Sequence, residues 1–171
     1  MAATARATDA WGRKALRAHA EGVRGDYEAL LKAFVEIPGV SMDPERAGDV
    51  VATAKLARDT FRKFGFSCCL LPTDGTPMVH AHSKRIPGAP TVTVYNHLDV
   101  QPGWGEHEGT GDPFAFTPDA TKDGRWFGRG TTDDKGPGLA ALFGARYALD
   151  HGARVNVHFL WETEEEIGSP N

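Results

Sequence analysis

Three short segments hold the residues best suited to chemistry. The first, Asn96-His97-Leu98-Asp99-Val100-Gln101-Pro102, sets an imidazole and a carboxylate two residues apart, so both project from one face wherever a strand continues. A metal-binding His usually donates its second ring N–H to a carboxylate, which fixes the tautomer. A His and an Asp at a strand end are also an ordinary loop. The second segment, Gly128-Arg129-Gly130-Thr131-Thr132-Asp133-Asp134-Lys135-Gly136-Pro137, embeds two acids among glycines. Its spacing fits neither a phosphate loop nor a dinucleotide fingerprint, and acids ahead of a helix also complement its dipole. The third, Glu162-Thr163-Glu164-Glu165-Glu166-Ile167-Gly168-Ser169, crowds four glutamates together. Acidic runs are commonly solvated faces, but crowded carboxylates take up protons unless a cation offsets them. One His with several carboxylates suits zinc, with manganese or cobalt as alternatives.

These segments can cooperate only if the fold brings them together. Tyr27, Leu30, Leu31, Phe34 and Val35 recur at helical spacing until Pro38. Asp43 is an N-cap candidate with Pro44 at the first helical position. A stripe from Ala47 through Val50, Val51, Ala54, Ala57 and Phe61 to Phe64 follows, closed by Gly65. The period then shortens. Residues 66–71 and 78–82 read as strands around an Asp74-Gly75 turn, and 91–95 as a buried β-branched strand. Residues 101–124 read as loop and 125–127 as a short strand. A helix opens at Pro137 and ends at Gly152, and strand 154–161 carries Val155, Val157, Phe159 and Trp161 on one face. Strand 91–96, helix 137–150 and strand 154–161 form a βαβ unit, which makes the strands parallel. Ligands of open α/β sheets bind at the carboxyl edge, where all three segments would meet.

Composition narrows the function classes. The 171 residues are 40% hydrophobic and 25% charged, as expected for one globular domain. No apolar run approaches the ~18–20 residues of a membrane span. A net charge of −4 without a basic stripe argues against nucleic acid. Cys68 and Cys69 are adjacent and poorly placed to bridge, so the expectation is a reducing cytoplasm without disulfides. Arg6, Arg13, Lys14 and Arg17 sit in an Ala-rich start that reads as a plain helix rather than a targeting segment.

Y-N-H-L-D-V-Q-P, G-R-G-T-T-D-D-K-G-P and E-E-E-I-G-S, in this order and at these distances, resemble the signature segments of the zinc-dependent aminoacylase, carboxypeptidase G and carnosinase family of metallopeptidases. The D-V-Q-P ending is most similar to the carnosinase-like dipeptidase branch. The resemblance implies an α/β, zinc-exopeptidase-like sheet flanked by helices, with residues 1–25 a helical segment and 26–171 the N-terminal part of a catalytic domain. It implies two zinc ions: His97 a ligand of one, Asp133 bridging both and Glu166 a ligand of the other. Glu165 matches the general base, and Asp99 the acid that orients His97 or a neighbouring group. The implied substrate is a small peptide or an N-acyl amino acid, and a full-length relative is expected to be a homodimer. Family members are more than twice this long, so the fold is expected to be incomplete at its C-terminus and to lack the lid domain. Two further ligands would then be missing. The competing expectation is a non-catalytic fragment with weak metal binding, its 154–161 face only partly covered.

Overall fold

A computed structural model describes residues 10–103, 111–118 and 124–171. Helices α1 (Arg13–Gly22) and α2 (Arg24–Val35) come first, and α2 buries Leu31, Phe34 and Val35 before Pro38 forbids its continuation. The Asp43 carboxylate accepts the Glu45 N–H at 3.0 Å and so caps a single 3-10 turn, Pro44–Arg46, that runs straight into α3 (Ala47–Lys63). The cap and the proline stand where the sequence places them; only the first turn is tighter. Asp43→Ala should therefore lower stability by about 1 kcal/mol, read as a shift of the urea midpoint at constant slope. An unmoved midpoint would remove this cap from the account.

Strands β1 (Ser67–Leu71), β2 (Met78–His82), β3 (Thr91–His97) and β6 (Asn156–Glu162) form one sheet in the order β1-β2-β6-β3. A two-stranded ribbon, β4 (Thr117–Pro118) with β5 (Trp126–Phe127), lies in the excursion before helix α4 (Lys135–Asp150). β6 is antiparallel to β2 and parallel to β3, in register from Thr91 with Asn156 to His97 with Glu162. The β3-α4-β6 crossover is thus the expected βαβ unit. β3 runs two residues past Tyr95, because Asn96 and His97 still find partners on β6.

Val157, Phe159 and Trp161 are 4%, 0% and 1% exposed. The Phe61 ring of α3 lies 4.9 Å from that of Phe159 and 4.5 Å from that of Trp161, and Leu139 and Leu142 of α4 join the same cluster. The expectation that this face lacks cover is therefore wrong: α3 and α4 close it. Strand alternation leaves the opposite face open instead, with Leu71 and Tyr95 exposed there. Val155 precedes the strand but still packs against the core.

Cys68 and Cys69 are free and, as neighbours in β1, point to opposite faces. Among the described residues no helix is long and apolar enough to cross a membrane. Residues 1–9 of the N-terminal segment, and 104–110 and 119–123 of the expected loop, lie outside the described residues.

Candidate metal centre

The carboxyl ends of β3 and β6 and the start of α4 converge on His97, which is 5% exposed. Its Nδ1 is 3.1 Å from the Asp99 carbonyl oxygen and 3.3 Å from Asp99 Oδ1. Both are acceptors, so Nδ1 carries a proton. Nε2 faces outward, 3.0 Å from Asp133 Oδ1 and 3.9 Å from Glu165 Oε2. A bare nitrogen lone pair would repel that carboxylate, so a proton or a cation must sit between them. Burial alone would push the His97 pKa down, but hydrogen bonds with Asp99 and Asp133 and the surrounding negative charge outweigh it and push it up to about 9. Without metal, His97 is an imidazolium at neutral pH.

Asp99 is fully buried beneath this ring. It also accepts the Glu165 N–H at 3.2 Å and the Glu166 N–H at 3.0 Å, tying the end of β3 to the 3-10 turn Glu165–Ile167. Burial pushes its carboxyl up, but the bonds to His97 and to the Glu166 N–H prevail and hold it below the ordinary range. Gln101 Nε2 donates to Glu166 Oε2 at 2.8 Å and to the Glu166 carbonyl at 3.2 Å, fixing that side chain. One donor atom each from His97, Glu165 and Glu166 lies within 4.8 Å of the others. Asp133, its side chain 76% exposed, reaches His97 but stands outside that cluster. The structure therefore brings Asp133 to His97 and does not bring it to Glu166. The donor set fits a divalent ion: one imidazole nitrogen aimed at carboxylates whose only cationic neighbour within 4 Å, among the described residues, is that imidazole.

Several supporting residues escape a reading by motif. Asp134 Oδ2 accepts Asn96 Nδ2 at 2.7 Å and the His97 N–H at 3.3 Å, so it does not cap α4 with its side chain. The helix accordingly starts at Lys135, two residues before Pro137, and the Asp133–Asp134 peptide is cis. Lys135, 1% exposed, donates to the carbonyls of Phe34 at 2.8 Å and Ile37 at 2.9 Å. Burial pushes its pKa down to about 7. Two of the four glutamates are occupied elsewhere: Glu162 accepts the Tyr95 hydroxyl, and Glu164 accepts the Thr76 N–H at 2.7 Å.

A metal ligand must be neutral imidazole, so binding at His97 must displace a proton below pH 9. Zinc affinity should rise about tenfold per pH unit between pH 6.5 and 8, with about one proton released. Calorimetry in two buffers of different protonation enthalpy reads both quantities. Affinity independent of pH would show that binding displaces no proton from His97 in this range.

Residues 93–171 match the model of peptidase family M20/M25/M40. The chain is 35% identical over 158 residues to the Cys-Gly metallodipeptidase dug1 of Schizosaccharomyces pombe, covering 85% of this chain and 33% of that protein. It is 40% identical over 164 residues to the human Beta-Ala-His dipeptidase, covering 84% and 31%. The solved structure of human carnosine dipeptidase 1 superposes with a TM-score of 0.74 at 31% identity, over 88% of this chain and 34% of that one. That of the Saccharomyces cerevisiae dipeptidase Dug1p gives 0.77 at 28% identity, over 89% and 34%. The chain spans about a third of the length of these relatives.

Proposed function

Because the chain belongs to peptidase family M20/M25/M40, we propose that its residues 26–171 supply part of the catalytic domain of a zinc-dependent dipeptidase. The observation that carries this reading is His97 Nε2, aimed at Asp133 and Glu165 and backed by buried Asp99. His97 and Asp133 would hold one ion and Glu166 a second; for Asp133 to join both, its exposed side chain, which here reaches His97, would have to swing toward Glu166. The ions, when bound, supply Lewis acidity toward water and toward the scissile carbonyl.

The remaining work falls to the protein. Asp99 is a positioning residue: it holds the His97 tautomer and, through two N–H groups, the turn that carries Glu165 and Glu166. Glu165 takes the proton of the attacking water and returns it to the amine nitrogen as the C–N bond breaks. The free thiols of Cys68 and Cys69 support a cytoplasmic location.

The test joins residues 1–171 to the C-terminal two thirds of the fission-yeast relative. Cys-Gly, β-Ala-His and N-acyl amino acids are then offered to the zinc-loaded fusion. Hydrolysis of dipeptides, abolished by Asp133→Asn, is the expected result. Selective cleavage of N-acyl amino acids would make the enzyme an amidohydrolase of the same family. A folded, zinc-loaded fusion that cleaves none of them would refute the reading.

A further inference from the structure

We infer that Lys135 is a positioning residue of the metal centre: it locks the loop that presents Asp133 onto the turn after α2, and through that turn onto the end of β3. This role depends on the metal centre above and not on the proposed activity. Lys135 is the first residue of α4 and follows Asp133 by two positions. A lysine is rarely buried completely unless its charge is well partnered, yet this one is 1% exposed. Its Nζ donates to two main-chain carbonyls, those of Phe34 at 2.8 Å and Ile37 at 2.9 Å. Phe34 lies in the last turn of α2 and Ile37 just past it, where carbonyls lack intrahelical partners. A charged donor bonds such acceptors about twice as strongly as a neutral one and complements the negative end of the helix dipole.

The turn anchored in this way also holds the continuation of β3. The Gly39 carbonyl accepts the Val100 N–H at 3.1 Å, and Val40 pairs with Val100 in a parallel bridge. Val100 directly follows Asp99, the carboxylate beneath His97. The methylene stem of Lys135 supports the loop itself. A Cβ added to Gly130 would stand 2.9 Å from Lys135 Cδ and 3.1 Å from Val100 Cγ1, so the loop backbone lies against both. Asp134 fastens the end of the loop to Asn96 and to the His97 N–H, and Lys135 fastens it on the side of α2. Asp133 directly precedes these two anchors. Its side chain is 76% exposed, so its direction comes from the backbone that carries it rather than from packing around it. The 3.0 Å approach of Asp133 to His97 Nε2 therefore depends on how Lys135 seats the loop.

The test replaces Lys135 by Met in the full chain, which keeps an unbranched stem and removes the donors. Zinc affinity, read by calorimetry, should fall by at least about tenfold, as when a group that orients a ligand is removed. The visible absorption bands of the Co(II)-loaded chain, which report the ligand set, should change as well. Leu142→Ala is the control for lost stability alone. Leu142 is fully buried about two turns farther along α4, so its removal should lower the urea midpoint and leave zinc affinity and the Co(II) bands unchanged. A readout without substitution guards against a variant that fails to fold: in the unaltered chain, the Lys135 ammonium nitrogen resonance should shift when zinc is added, and that of Lys63, at the end of α3, should not. Zinc affinity and Co(II) bands that survive Lys135→Met, an equal loss of affinity in Leu142→Ala, or a Lys135 resonance indifferent to zinc would each overturn the proposal. An unaltered chain that binds no zinc would refute the metal centre itself and this role with it.

Discussion

Replacing Glu165 by Gln is expected to lower kcat for dipeptide hydrolysis by about 10²–10⁴-fold in the zinc-loaded fusion, with metal content unchanged. Gln keeps the size of Glu and can still accept a hydrogen bond, but it cannot hold the transferred proton. The substitution also spares the scaffold, because Glu165 is fixed through its backbone N–H on Asp99 rather than through its carboxylate. The choice of variant separates two roles. Glu165 shares a cluster with His97 and Glu166, so it could be a ligand instead of the base. A ligand lost would lower zinc content, a base lost would not. Turnover close to that of the unaltered fusion would end the assignment of Glu165 as base.

Gly136→Ala should be strongly damaging, because among the described glycines it is the one whose added Cβ would meet backbone at 2.0 Å. Gly136 lies in the first turn of α4, and a Cβ there would stand 2.0 Å from the Thr131 carbonyl oxygen and 3.1 Å from its carbon. Both are backbone atoms that no rotamer change can move. Its N–H donates to the Gly130 carbonyl at 3.2 Å, and its own carbonyl accepts the Tyr27 hydroxyl at 3.0 Å. The helix therefore cannot withdraw without breaking contacts on both sides. What must shift is the loop that presents Asp133. The expected result is a loss of at least about 2 kcal/mol in urea unfolding, together with zinc affinity weakened more than about tenfold. Gly144→Ala is the control: the same helix offers that Cβ open space, and stability should rise by about 0.5–1 kcal/mol. If Gly136→Ala matched this control in both measurements, the packing of the loop on α4 would be misassigned.

The sequence makes the elements legible where pattern and punctuation agree. The stripe from Val50 to Phe61, the Asp43-Pro44 start and the Gly65 stop locate α3 because each depends only on residues within a few positions. The meeting of His97, Asp133 and Glu165 is also legible, since parallel β3 and β6 must end at one edge. The support beneath them is not. Asp134 is claimed by Asn96, Lys135 by the carbonyls that end α2, and Glu164 by Thr76. Each of these partners is dozens of residues away, so no local spacing announces it. The wrong expectation about the 154–161 face has the same root. Alternation shows that Val157, Phe159 and Trp161 share a side, but what covers that side is decided by Phe61 and Leu142, on helices that the strand pattern does not mention.

The order β1-β2-β6-β3 has a consequence for how the chain comes off the ribosome. Of the described strands, the last to be synthesised is the one that stands between β2 and β3. β1 and β2 can pair as soon as they emerge, their partners being 7 to 15 residues apart. β3 must wait, because its partner on β6 follows 65 residues later, as Thr91 and Asn156 show. Until then the nascent chain displays two unsatisfied strand edges facing a gap of one strand's width. Such edges invite pairing with any extended segment nearby. Slowing translation within the stretch that encodes α4 would lengthen that exposure, so the yield of folded chain should depend on codon speed between residues 98 and 156 far more than on codon speed before β1.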